Sequence, residues 1–128
     1  MLAKLNRISQ DKDFKKLKQK GRSLSSPHLR FKYLANNLSS NRFAVVVSLK
    51  VSKKATERNR IRRQLLEIIR LNLSKIKASF DFLIFVNNKA LGLDYSQLET
   101  SLLATLEKGH LLKNGELRWT IPFFQFGY

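Results

Sequence analysis

Apolar and polar positions along this chain alternate between a helical rhythm and a strand rhythm, and the changes of rhythm mark its elements. Phe14 and Leu17, three apart in a basic stretch, give a short helix one apolar stripe. Ser9 is placed to cap it, Asp11 and Asp13 fall early, Lys15, Lys16, Lys18 and Lys20 fall late, and Gly21 is a stop, an order that complements the helix dipole. Residues 23–27 read as a turn, with room for a brief strand before it. Leu29, Phe31 and Tyr33 then alternate with Arg30, Lys32 and Leu34, the period of a strand with one apolar face. After the turn Asn36-Asn37-Leu38-Ser39-Ser40-Asn41, residues 43–49 (FAVVVSL) are nearly all apolar and predict a central strand.

A second helix is predicted from Ala55 or Thr56 to about Lys77. At 100° per residue, Ile61, Leu65, Leu66, Ile68, Ile69 and Leu73 share one arc. Arg58 and Arg62 share the meridian of Leu65 and Ile69 nearer the N-terminus. The helix start must therefore project past what the rest packs on, or two guanidinium groups would be buried unpaired. Residues 80–86 (FDFLIFV) predict another buried strand, and Asp94 or Ser96 can cap a third helix from about Tyr95 to Lys108 whose apolar positions are Leu98, Leu102, Leu103 and Leu106. Asn114-Gly115 is a hairpin-type turn, and residues 117–126 read as a short extra strand broken by Pro122. These elements sum to a small sheet with helices packed on it, one domain over residues 1–128.

Charge adds what the apolar pattern does not say. The chain of 128 residues has a formal net charge of +16. Residues 1–77 hold 21 Lys/Arg against 4 Asp/Glu, whereas residues 78–128 hold 4 against 5. A surface tuned for solubility would mix both signs throughout, so one part of the molecule is built to face phosphate. At 43% hydrophobic the chain is too apolar for a disordered basic tail, and with no cysteine it has no disulfide, thiolate zinc site or cysteine nucleophile. No apolar run is long enough to span a membrane, and Met1-Leu2-Ala3-Lys4-Leu5-Asn6-Arg7 lacks the core of a signal peptide. A cytoplasmic protein is the expectation.

The densest constellation is Lys50, Lys53 and Lys54 leading into Arg58, Asn59, Arg60, Arg62 and Arg63. These lie on a strand exit and the first turns of one helix. Arginine presents a planar fork of donors to phosphate, and a helix N-terminus adds amide donors and partial positive charge. Asn59 either contacts RNA or caps the helix. Phe14 among its lysines, with Arg30 and Lys32 on the strand's polar face, offers the cation-plus-ring combination that holds single-stranded nucleic acid, although Phe14 beside Leu17 also reads as core. Neither His28 nor His110 has a carboxylate or nucleophile at a catalytic spacing, and both are expected at the surface. The scattered acids form no metal pair, and no glycine-rich phosphate loop occurs.

The run over residues 45–70 (VVVSLKVSKKATERNRIRRQLLEIIR) resembles the bacterial ribonuclease P protein family, marked by a Val-rich strand, a Ser/Lys-rich turn and an R-N-R-I-K/R-R helix. Leu5-Asn6-Arg7-Ile8, Asp13-Phe14 and Asp81-Phe82-Leu83-Ile84-Phe85-Val86 agree in order, so the family-like core covers about residues 5–108 and leaves an extension over 109–128. The resemblance implies an α+β fold, a two-layer α/β sandwich in the order α-β-β-β-α-β-α with a left-handed βαβ crossover. The short C-terminal strand is added to it. It implies two partners, the catalytic ribonuclease P RNA and precursor tRNA. The RNA removes the 5′ leader with Mg²⁺ of its own, and the protein binds no cofactor. Arg58, Asn59, Arg60, Arg62, Arg63, Lys50, Lys53 and Lys54 would grip the RNA, and Phe14, Lys18, Arg30 and Lys32 would line a leader groove. Lys18 stands where the family often has a second aromatic, Leu66 where it usually has Arg, and Asn87-Asn88 where a basic residue is common. Outside that family, a structural RNA-binding protein of ribosomal type fits the same charge and the same lack of catalytic residues.

Overall fold

The computed structural model describes residues 2–113. A short 3₁₀ turn, Lys4–Asn6, precedes α1 (Asp11–Lys20), β1 (Arg22–Ser25), β2 (Leu29–Ala35) and β3 (Arg42–Val46). There follow α2 (Ala55–Asn72), β4 (Phe80–Val86) and α3 (Tyr95–Lys108). The sheet order is β1-β2-β4-β3, antiparallel except for β3 and β4, which run parallel and are joined through α2. The α-β-β-β-α-β-α order is therefore present. The predicted turn at residues 114–115 and strand at 117–126 lie outside the described residues.

One face of the sheet carries the main core. Phe31 and Tyr33 of β2, Phe43 of β3 and Phe82 and Ile84 of β4 meet Ile61, Leu65, Ile68 and Ile69 of α2 and Leu98, Leu102 and Leu106 of α3. The register sets Phe43 opposite Phe82, and their rings stack 5.0 Å apart. Alternation along the strands sends Leu34, Ala44, Leu83 and Phe85 to the other face, where Ile8, Leu17 and Phe14 cover part of them. The sheet against α2 and α3 makes the two layers, and α1 lies across the opposite face.

Three boundaries differ from the sequence reading. Gln10, not Ser9, is the N-cap of α1, and no side chain caps it. Residues 7 and 8 are held extended because the Ile8 amide donates to the Phe43 carbonyl and Arg7 bridges Phe43. Residues 43–49 predict a central strand, but β3 ends at Val46 and lies at the sheet edge. Its apolar run is explained by cover on both faces: Phe43 and Val45 pack on the main core, and Ala44 packs beneath Ile8. The second helix stops at Asn72 rather than near Lys77, because the Asn72 amide turns back to the Ile68 carbonyl (2.8 Å) and to Glu99 (2.9 Å). Ile76 then pairs with Leu112. The start of α3 agrees with the sequence, since Asp94 and Gln97 form a reciprocal capping box.

Candidate nucleic-acid interface

The basic constellation folds into the exit from β3 and the first turns of α2. Lys50, Lys53 and Lys54 are exposed, and Lys54 is the N-cap residue. Ser52 is buried and organises the turn: its hydroxyl accepts from the Lys54 amide (3.1 Å) and donates to Glu57. The core face begins at Ile61, 1% exposed, so Arg58 lies a turn beyond it. The Arg58 guanidinium stays half-exposed and donates to the Ser52 carbonyl at 3.0 Å. Neither Arg58 nor Arg62 is buried unpaired, the condition that the spacing set for the helix start. Arg60 reaches Gln64 at 3.5 Å, Arg62 donates to Asn59 at 2.7 Å, and Arg63 is exposed. Asn59 is therefore inside the helix orienting Arg62, and its capping role is excluded. None of the four arginines meets a carboxylate among the described residues.

On the α1 face of the sheet, the uncovered part leaves a groove where β3 and β4 end. Arg30, Val46, Ser48, Lys50, Phe85, Asn87 and Asn88 line a hollow of about 330 Å³. Arg30 and Phe85 are opposed in the β2–β4 register, and the guanidinium lies 4.4 Å from the ring centroid. Phe14 is half-buried against the Ile8, Leu17 and Leu83 cluster, so its ring packs on the sheet as the Phe14–Leu17 spacing also suggested, and it does not line this hollow. Lys32 donates to the Lys18 carbonyl at 3.0 Å and ties the end of α1 to β2. Of the four leader candidates, Arg30 lines the hollow, whereas Phe14 and Lys18 belong to α1 and Lys32 to β2, and none of these three lines it.

Lys50 belongs to both surfaces, and so joins them. Phe85 was not singled out from the sequence, because an apolar strand residue signals burial until its pairing is known. The Arg42 clamp was missed because its partners come from β4 and α1, far from it in sequence. Arg42 donates twice to Asp81 (2.8 and 2.6 Å) and once to Asp13 (3.3 Å), joining β3, β4 and α1. These carboxylates, Asp81 foremost, raise the Arg42 pKa, so the guanidinium stays charged throughout the accessible pH range. His110 is exposed as expected, whereas His28 is half-buried, with Nδ1 3.4 Å from the Ser101 hydroxyl. Among the described residues no His, Asp and Glu cluster could hold a metal, and no helix is long and apolar enough to cross a membrane.

Comparison with known proteins gives this arrangement its place. Residues 2–110 match the family model described as Ribonuclease P. A ribonuclease P protein component from Clostridium botulinum is 36% identical over 106 residues, covering 82% of this chain and 95% of its own. A Staphylococcus aureus RNase P protein mutant superposes with a TM-score of 0.79 at 25% identity, over 84% of this chain and 91% of that one. The RNase P protein from Thermotoga maritima superposes with a TM-score of 0.74 at 27% identity, over 80% of this chain and 96% of that one. With the family model spanning most of its length and a fold in common with these structures, the chain belongs to the ribonuclease P protein component family, part of an endoribonuclease.

Proposed function

We propose that this chain is the protein subunit of a cytoplasmic ribonuclease P, binding the catalytic RNA at the start of α2 and the 5′ leader of precursor tRNA in the groove. The carrying observation is four arginines on the first turns of one helix with no carboxylate partner among the described residues. Like charge at a helix N-terminus opposes the dipole, so its natural complement is an anion, and a polyphosphate backbone supplies many. Arg58, Arg60, Arg62, Arg63, Lys50, Lys53 and Lys54 grip that backbone, and Asn59 fixes Arg62. In the groove, Arg30 on Phe85 presents a cation and a ring edge to an unpaired strand, and Phe14, Lys18 and Lys32, which do not line its hollow, are the other leader contacts. The chain itself holds no metal in this reading. Cleavage is performed by the RNA with its own Mg²⁺.

The test is cleavage of precursor tRNA by the protein alone, by a ribonuclease P RNA at low Mg²⁺, and by the two together. Stimulated cleavage in the mixture is expected. No stimulation would leave a structural RNA-binding protein of ribosomal type, and cleavage by the protein alone would reassign the chemistry to the chain.

A further inference from the structure

At the other end of the sheet from the groove, where β4 begins, Arg22, Tyr33, Lys77, Phe80, His110 and Leu111 enclose a second hollow of about 330 Å³. Phe80 and Val86 are the two ends of a seven-residue strand, so the two hollows are about 20 Å apart along β4. The lower hollow therefore shares nothing with the start of α2. Its volume lies in the range of about 300–1,000 Å³ found for small-molecule sites.

Its walls are fixed by the fold. Arg22 and Tyr33 face each other in the β1–β2 register, and Tyr33 and Phe80 meet edge to face with centroids 6.0 Å apart, giving an aromatic floor with a guanidinium at its side. Lys77 is held by its backbone, whose amide donates to the Leu111 carbonyl at 2.7 Å. The end of α3 is seated on β1: a Cβ on Gly109 would lie 2.4 Å from Leu24 Cδ1, and Lys108 donates to the Ser25 carbonyl at 2.8 Å. The next residue, His110, takes a left-handed φ of 57°, a position helices usually fill with glycine or asparagine.

The charge around this hollow is one-sided. Among the described residues no carboxylate lines it, and Asp81, next in sequence to Phe80, faces the other side of the sheet, where Arg42 and Asn36 hold it. The side chains of Arg22, Lys77 and His110 have no hydrogen-bond or ion-pair partner among the described residues. Two cations and an imidazole around an aromatic floor match one ligand chemistry, an aromatic ring carrying a phosphate. We propose that this hollow holds one nucleotide of single-stranded RNA, its base on the Tyr33–Phe80 floor and its phosphate at the Arg22–Lys77 rim. It is a second RNA contact, independent of the α2 surface and of the leader groove.

The test uses the full chain and follows the ring signals of Tyr33, Phe80 and His110 by NMR during titration with AMP, adenosine, inorganic phosphate and a short oligoadenylate. Saturable shifts with AMP and the oligoadenylate are expected. Arg22→Ala combined with Lys77→Ala, both exposed positions, should weaken binding by about 10-fold or more. Arg60→Ala combined with Arg63→Ala should leave these shifts unchanged, which separates this site from the proposed RNA grip. The proposal is overturned if AMP moves none of these signals or if the α2 variant removes them equally. Phosphate alone binding as well as AMP would also overturn it, because the floor would then have no role. So would ring-to-ring contacts from Trp119 that AMP does not displace, since the chain's own C-terminal residues would then be the occupant.

Discussion

Arg42 shows how much of this architecture rests on single side chains. It sits opposite Asp81 across the parallel β3–β4 pair and reaches Asp13 on α1, so one guanidinium joins an edge strand, an interior strand and the helix on the open face. Asp81 is 7% exposed and, among the described residues, keeps only Asn36 as a side-chain partner once Arg42 is removed. Arg42→Ala should therefore destabilise by about 1–3 kcal/mol, below the cost of breaking a fully buried pair because water reaches this guanidinium. Arg42→Lys should recover part of that, as a point charge lacks the second parallel bond to Asp81. Urea midpoints at constant m-value measure both, and an Arg42→Lys no better than Arg42→Ala would show that charge contributes little. Asp13→Ala should cost less than Arg42→Ala, since it loses one longer bond at a more open carboxylate. Elsewhere Glu67, paired with Arg70 on the solvent side of α2, titrates below the usual carboxylate range. Its contribution is present at neutral pH and is lost as pH falls through that lowered value.

The helix α2 is the element in which sequence and function lie closest together. Its apolar arc, its basic start and the point where one gives way to the other were legible from spacing alone, because helical periodicity is a local property. The burial of Ile61 and the half-exposure of Arg58 follow from that spacing. The edge position of β3 was not legible, since apolar residues on both faces report cover and not strand neighbours. The groove was not legible either: Arg30 and Phe85 meet only through the β2–β4 register, and neither residue's local sequence encodes it. The end of α2 differs because the Asn72 side chain bonds back to the Ile68 carbonyl. If the arginines grip phosphate, each single Arg→Ala at 58, 60, 62 and 63 should weaken binding to the RNA uniformly across sequences. Each should also reduce the log–log salt slope by about 0.7–0.9. Arg58 also fastens the Ser52 turn, so its substitution should lower stability as well, whereas Arg63→Ala should leave the melting temperature unchanged. Unchanged slopes at all four positions would remove the phosphate grip.

At the scale of the whole molecule, positive charge is concentrated in residues 1–77, and the fold gathers part of it on two surfaces that meet at Lys50. One is the half-exposed, basic start of α2, suited to the backbone of a folded RNA. The other is concave, a groove with a cation stacked on a ring, suited to an extended single strand. If this division is functional, the surfaces separate by substrate. Phe85→Leu keeps apolar volume above Leu83 but removes the ring beneath Arg30. It should weaken binding of leader-bearing precursor tRNA to the assembled ribonucleoprotein by about 1–3 kcal/mol, the magnitude of one lost base-stacking contact. Affinity for mature tRNA, which has no leader, should stay as it was, and so should assembly with the catalytic RNA. Arg60→Ala combined with Arg63→Ala should do the reverse, lowering assembly while changing the two substrates in parallel once the complex is saturated. Equal loss of precursor and mature tRNA binding in Phe85→Leu would show that the groove contacts the tRNA body instead of the leader. Loss of assembly in that variant would show that the two surfaces are one continuous RNA-binding face.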